Sequence, residues 1–304
     1  MRKNLFVAFL LLLCPFIGQA QSLEDYLSKY TADNGEKYLQ PFANAFASDL
    51  NSGLFHNAEI KKNGFQLYIG VVSQVAMISS DAKFFTATID DPAFGPTQTV
   101  PNAPTVFGPT EGPKIENESG QAMYLPGGFD IDYMPLAMPQ ITIGSLYGTD
   151  FTARFFKTGV EDIGDIDLFG WGIRHSVDQY ISKLPFKMAV GYYHQKFSVG
   201  DYMDTKTNVV NLQASFAVPV VTFYGGLAYE SDKVNITYTY EGLSASKDAP
   251  EPGDQIAFEM ETEGSMRATI GLCINMGPVK LHGDYNMAKQ NTFAVGLGIG
   301  INQK

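Results

Sequence analysis

Thr292-Phe-Ala-Val-Gly-Leu-Gly-Ile-Gly-Ile301 alternates without a fault. Phe293, Val295, Leu297, Ile299 and Ile301 share one parity; Thr292, Ala294, Gly296, Gly298 and Gly300 share the other. Successive side chains of a strand point to opposite faces, so the stretch reads as a strand with one apolar and one small face. The pattern repeats upstream in 279–287, 266–276, 234–241, 221–230 and 208–218. Pro219, Ser231-Asp232, Gly277-Pro278 and Lys289-Gln290 supply tight breaks between these runs. Short breaks make sequential strands antiparallel neighbours in up-and-down order. Earlier segments alternate less cleanly: 64–78, 83–90, 138–147, 150–157, 166–177 and 185–198. The Pro- and Gly-rich stretch from Asp91 to Gly128 reads as a long loop, with room for a short strand after it. The count is about twelve strands, within 10–14, and even because an antiparallel barrel must close.

A soluble sandwich also has one apolar face per sheet. Two features favour an all-β, antiparallel, up-and-down transmembrane barrel. The polar parity carries Arg174, Glu230, Glu241, Arg267, Lys280, His282 and Asp284 in mid-strand, as candidate lumen-lining residues. Aromatic residues gather near strand ends, as in interfacial girdles: Tyr147, Phe151, Phe169, Trp171, Tyr192, Tyr229, Tyr238, Tyr240, Tyr285 and Phe293. Against the pattern of many such barrels, the chain ends Ile301-Asn-Gln-Lys304 with no terminal aromatic residue.

The N-terminus reads as an export signal. Arg2 and Lys3 precede an apolar run from Leu5 to Leu13, and Gly18-Gln-Ala20 offers small residues for cleavage after Ala20. Cys14 suggests a lipoprotein signal instead, but Leu13 stands before it where a small residue is required, and Pro15 follows. Removal of residues 1–20 leaves Cys273 as the only cysteine, so no internal disulfide is expected. The net charge of −11 includes Arg2 and Lys3, so without the leader it is about −13, which disfavours nucleic acid as a partner. Residues 21–60 differ from the rest. Leu23, Tyr26, Leu27 and Tyr30 have helical spacing, and a second helical stretch runs near Leu39–Leu54. The expected organisation is a signal peptide (1–20), a helical plug segment (21–60) and a barrel (61–304).

Gly170-Trp-Gly-Ile-Arg-His175, Leu184-Pro-Phe-Lys-Met-Ala-Val-Gly-Tyr192 and Pro219-Val-Val-Thr-Phe-Tyr-Gly-Gly226 resemble a family of uncharacterised exported proteins of Bacteroidota, filed as a domain of unknown function. That resemblance implies an outer-membrane barrel with no assigned activity. Ala43-Asn-Ala-Phe-Ala-Ser-Asp-Leu-Asn51, Leu54-Phe-His-Asn-Ala58 and Gly64-Phe-Gln-Leu67 resemble the hatch and first strand of the long-chain fatty-acid transporter family. That family typically carries Asn-Pro-Ala there; here Asn57 is followed directly by Ala58. The second resemblance implies a channel or binding protein for small hydrophobic molecules. The alternative is a non-transporting scaffold in the outer membrane, with the 91–128 loop as its contact surface. Expected partners are outer-membrane lipid, a small hydrophobic solute and, during biogenesis, the barrel assembly machinery.

Chemistry-bearing motifs are sparse. Gly296-Leu-Gly-Ile-Gly300 begins a phosphate-binding pattern, but no helix follows to present its amides, so a glycine-lined lumen face explains it better. His282 and Asp284 share a face with Lys280 and read as a hydrogen-bonded lumen cluster rather than a metal site. His56, His175 and His194 are too scattered to assign as a ligand set. Asp162, Asp165 and Asp167 lack EF-hand spacing and read as a solvated turn. Ser176 and His175 are adjacent in a strand, on opposite faces, and cannot form a dyad. Neither enzymatic activity nor a cofactor nor a metal is expected.

Overall fold

The computed structural model describes residues 30, 32–90, 94–117, 119–160, 164–181, 183–240 and 251–302. The signal peptide, the helical spacing from Leu23 to Leu27, Asp162 and Glu241 lie outside the described residues. Among the described residues, one α-helix, α1 (Ala32–Leu50), precedes fifteen strands: β1 (Asn63–Met77), β2 (Phe84–Ile89), β3 (Gln98–Pro104), β4 (Lys114–Glu116), β5 (Ala122–Tyr124), β6 (Tyr133–Leu146), β7 (Thr149–Val160), β8 (Gly164–Ser176), β9 (Lys187–Val199), β10 (Met203–Ala217), β11 (Val221–Thr239), β12 (Gln255–Glu261), β13 (Met266–Met276), β14 (Val279–Met287) and β15 (Thr292–Ile301).

Ten of these close a ring in the order β1, β6, β7, β8, β9, β10, β11, β13, β14, β15 and back to β1. The closing seam pairs β1 with β15 antiparallel, from Leu67 opposite Ile301 to Ala76 opposite Thr292. Every ring strand turns large apolar side chains outward, from Phe65, Ile69 and Val71 of β1 to Leu297 and Ile299 of β15. The last strand is the clearest case: its five odd residues are 40–57 % exposed, while Thr292 and Ala294 are fully buried. The barrel is therefore apolar outside, while its interior mixes polar and small residues with buried rings such as Tyr68, Tyr193 and Tyr224.

The ring has ten strands rather than about twelve, for two reasons. Segment 83–90 does not join it; β2 pairs instead with β3 in a separate two-stranded sheet. The 221–230 and 234–241 runs are one strand, β11, and Ser231-Asp232 is not a turn. What changes at 231–233 is the phase of hydrophobicity. Even-numbered residues other than Gly226 stay buried, but Thr222, Tyr224, Glu230 and Asp232 give way to Val234, Ile236 and Tyr238. Asp232 is held inside the strand by the Asn51 amide, at 3.0 and 3.1 Å, and by the Thr262 hydroxyl at 3.2 Å. The expected 91–128 loop also contains β3, β4 and β5.

The chain divides into two compact units. One comprises the chain up to Ala45 with 78–134 and 235–260, and has its own apolar core: Tyr38, Leu39, Ala87, Val106, Phe107, Ile236 and Tyr238 are all buried. Asn34 clamps the β2 backbone from both sides, its amide donating to Thr88 O (2.8 Å) and its oxygen accepting from Thr88 N (2.9 Å). The Tyr38 hydroxyl donates to Gly127 O at 2.9 Å, and the Tyr238 hydroxyl to Tyr30 O at 3.0 Å. Tyr238 passes so close to α1 that a Cβ on Gly35 would stand 2.7 Å from its hydroxyl. Tyr238 and Tyr240 thus belong to this core and not to an aromatic girdle. Asp132 at 2.7 Å, with Asp130, holds the Lys83 ammonium above its usual range. The other unit contains the ring and residues 46–62.

Candidate functional site

Residues 46–62 run along the barrel interior. The helix ends at Leu50, and its last carbonyls have no partner within the helix and carry the negative end of its dipole. A chain leaving a helix inside a closed barrel, buried from water, keeps its carbonyls satisfied when the wall supplies donors. Here the wall supplies three arginines.

Arg154 of β7 lies at the middle of the path. Its Nη1 donates to Leu50 O at 2.8 Å, and its Nη2 to Ser52 O at 3.0 Å and Gly53 O at 2.8 Å. Its remaining bonds go to the amide oxygens of Gln140 (2.8 Å) and Gln195 (3.3 Å). All five acceptors are amide oxygens, so the helix terminus and the turn after it take the place of a counter-ion. Gln195 adds a 2.7 Å bond to Leu50 O.

Arg267 of β13 grips the segment one turn earlier. It forms an ion pair with Glu230 and donates from Nη2 to Ser48 O (3.2 Å) and Ser48 Oγ (2.8 Å), and from Nη1 to Ser52 Oγ (2.9 Å). Arg174 of β8 holds the far end. It is paired with Asp150, donates from Nη1 to Asn57 O at 2.7 Å, and reaches Gln213 at 3.1 Å. Ser215 Oγ then accepts from Ala58 N at 2.9 Å.

Between these grips lies an aromatic cluster. Phe55 packs edge-on against Tyr224 at 5.6 Å, and the Tyr224 hydroxyl donates to Asp284 at 2.9 Å. The His56 ring forms a triangle with Tyr68, at 4.5 Å, and a stacked His282, at 4.9 Å. The Tyr68 hydroxyl meets His282 Nε2 at 3.1 Å. These rings need the space left by glycine: a Cβ on Gly296 would lie 2.0 Å from His282 Nε2. A cavity of about 10 Å³ remains between residues 51–55 and β10, β11, β13 and β14, room for one water.

Of the residues singled out in the sequence, Arg174, Glu230, Arg267, Lys280, His282 and Asp284 are buried with inward side chains. Arg174 and Arg267 engage the segment, and Glu230 pairs with Arg267; His282 and Asp284 join the aromatic cluster; Lys280 donates to Asn275 at 2.8 Å. Glu241 lies outside the described residues. Sequence reading missed Arg154, although its parity, shared with Asp150 and Thr152 against Phe151 and Phe155, marks it as inward. It also missed His56, whose partner stands more than two hundred residues away in sequence.

A closed antiparallel barrel whose interior is occupied by its own N-terminal chain is the class of protein that fold and site define. The model described as Family of unknown function (DUF6588) matches residues 1–301, and the chain belongs to that family. No curated protein matches the chain. Among solved structures, it is similar to the outer membrane protease OmpT from Escherichia coli (8 % identity, 80 % of this chain and 97 % of that one, TM-score 0.36). It is also similar to the β domain of the Bordetella autotransporter BrkA (12 %, 78 % and 99 %, TM-score 0.28). A third is the Ralstonia pickettii toluene transporter TbuX (7 %, 79 % and 89 %, TM-score 0.23). At these scores the likeness carries no argument about activity.

Proposed function

We propose that this protein is an outer-membrane β-barrel whose lumen is closed by its N-terminal segment, within residues 21–60, and that it passes or binds small molecules when the segment moves. The observation that carries the membrane reading is the apolar exterior on all ten ring strands. A soluble protein rarely exposes a contiguous apolar patch of more than a few hundred Å². The band also has the right height. From Phe293 to Ile301, eight residue steps at ~3.3 Å and a tilt near 40° give roughly 20 Å, close to the ~25 Å band of such barrels.

The gating reading is supported by how the segment is held. Its grips are hydrogen bonds from wall side chains to backbone carbonyls, which water replaces once the segment shifts. The protein so read is non-enzymatic, and its partners are outer-membrane lipid and the barrel assembly machinery. A hydrophobic solute rests on the hatch resemblance, while the inner wall mixes polar residues with aromatic ones, so solute sets of both kinds belong in a transport assay. The scaffold alternative is favoured by one feature, the separate apolar core that residues outside the ring build with the end of β11. Cell fractionation and gel mobility before and after boiling test the membrane reading: a soluble protein with no heat-dependent shift overturns it. Planar-bilayer recording of a folded variant lacking 22–60 tests the plug: a trace as silent as the full chain overturns that.

A further inference from the structure

The direction in which the chain threads the barrel has a consequence for where its N-terminus lies. The ring's two longest connections, 78–132 and 240–265, lie at the same end. At one end the connections are 147–148, 177–186, 218–220 and 277–278; at the other they are 78–132, 161–163, 200–202, 240–265 and 288–291. Short turns face the periplasm and long connections face outward in barrels of this kind. The C-terminal end of β15 and the start of β1 both lie at the short-turn end, paired as Leu67 and Ile301.

Residues 46–62 descend from the long-connection end to the short-turn end. Phe46 packs on Phe197 (4.7 Å), near the top of β9, and Ser48 Oγ donates to Gln290 O (2.8 Å), in the connection before β15. Leu50 and Leu54 then meet Gln195 and Tyr193, successive inward residues down β9. His56 meets Tyr68 near the start of β1, and Asn57 meets Arg174 near the end of β8. Finally Lys62 O accepts from Gly148 N at 3.2 Å, in the short turn between β6 and β7. The contacts follow one another in order, with no reversal, so the segment crosses the whole lumen.

A hatch entering from the periplasm would both enter and leave at the short-turn end. This segment does not, and we infer that the chain ahead of residue 46 emerges on the outer side of the membrane, so that the mature N-terminus is displayed at the cell surface. The barrel then acts as an anchor threaded by its own chain, and a domain joined to the N-terminus would be carried outside. This inference rests on the outer-membrane reading and adds the polarity of the thread.

The test is labelling with a membrane-impermeant maleimide on intact cells, in a Cys273→Ser background. Single cysteines at exposed positions report each side: Glu36→Cys ahead of the thread, Glu251→Cys in a long connection and Pro219→Cys in a short turn. Fractionation and heat-dependent gel mobility are measured on the same cells. The expected result is that Glu36→Cys and Glu251→Cys react on intact cells as fully as on permeabilised ones, and Pro219→Cys only after permeabilisation. An epitope tag inserted after Gln21, read by antibody on intact cells, gives the same answer without relying on thiol reactivity. The inference is overturned if Glu36→Cys and the tag are reached only after permeabilisation while Glu251→Cys is reached without it. A reversed pattern, with Pro219→Cys reactive on intact cells, overturns it as well. A soluble protein in the fractionation marks failure of the membrane reading itself.

Discussion

Replacing Arg154 with methionine tests whether the wall holds the segment. Methionine fills most of the space and donates nothing, so water does not simply take over the role. Leu50 O keeps its bond from Gln195, whereas Ser52 O and Gly53 O lose the guanidinium that reaches them at 3.0 and 2.8 Å. A buried acceptor left without a donor costs about 1–3 kcal/mol, and bonds to a charged donor lie toward the upper part of that range. Two stripped carbonyls, partly relaxed, give about 3 kcal/mol. At 1.4 kcal/mol per decade, that raises the population of undocked segment roughly a hundredfold. Proteolysis of a briefly opened state tracks its population when reclosing is fast. Cleavage within 46–62 of the detergent-folded barrel should therefore accelerate about a hundredfold. Arg154→Lys, a point charge that cannot fork between carbonyls, should fall between the two. A folded, heat-modifiable Arg154→Met barrel cleaved no faster than wild type, and equally silent in bilayers, would refute the reasoning.

Arg267→Met should lower the unfolding temperature more than the double variant with Glu230→Gln, because the single change leaves a buried carboxylate without its partner, at about 3–5 kcal/mol. Equal losses in thermal melts would count against an ion pair of that kind. Gly296→Ala should cost about 1–3 kcal/mol by driving a methyl into His282, while Gly283→Ala, whose Cβ meets nothing nearer than 3.5 Å, should be close to neutral; matched melts of the two would decide it. In the 177–186 connection, burial would raise the Asp178 carboxyl. Bonds from Ser176 (2.8 Å), Lys187 (3.1 Å) and the Met188 amide (3.2 Å) outweigh that and hold it below its ordinary value of 3.8. A depressed carboxyl contributes stability above its unfolded value and loses it as pH falls through the folded one. Protection of the Met188 amide, taken against its intrinsic exchange rate at each pH, should therefore fall only as pH drops below about 3.8, and Asp178→Asn should flatten that response.

Strand identity and facing were legible because they are local. In β15 the parity of Phe293 to Ile301 decides both faces, and tertiary structure only adds the reason for its glycines, the rings of Tyr68 and His282. The strand count failed where a local rule met a non-local cause. Ser231-Asp232 looks like a turn because the apolar parity flips there, yet Asp232 is seated by Asn51 and Thr262, which no window around 231 contains. Segment 83–90 alternates well enough for a ring strand, but its partner is the nearby β3. The candidate site divides the same way. Inward polarity identified Arg174, Arg267, His282 and Asp284, and the same rule would have found Arg154. That these side chains hold a backbone, and that His56 stacks on His282, depends on the path of 46–62 through the ring.

Most of the grips on that path have one property in common, Arg267 on the Ser48 and Ser52 hydroxyls being the exception among the arginines. Arg154 takes the carbonyls of Leu50, Ser52 and Gly53, Gln195 that of Leu50, Arg174 that of Asn57, and Tyr193 that of Leu54. Main-chain oxygens are the same in every residue, so the wall is largely indifferent to the letters it holds. In a saturation-mutagenesis map, tolerance should therefore concentrate on the positions held only by their carbonyls, with Leu50 and Leu54 more replaceable than their burial suggests and Ser48 and Ser52, whose hydroxyls accept from Arg267, less so. Intolerance should concentrate on arginines more than a hundred residues away. A family alignment would show conserved columns facing a variable thread.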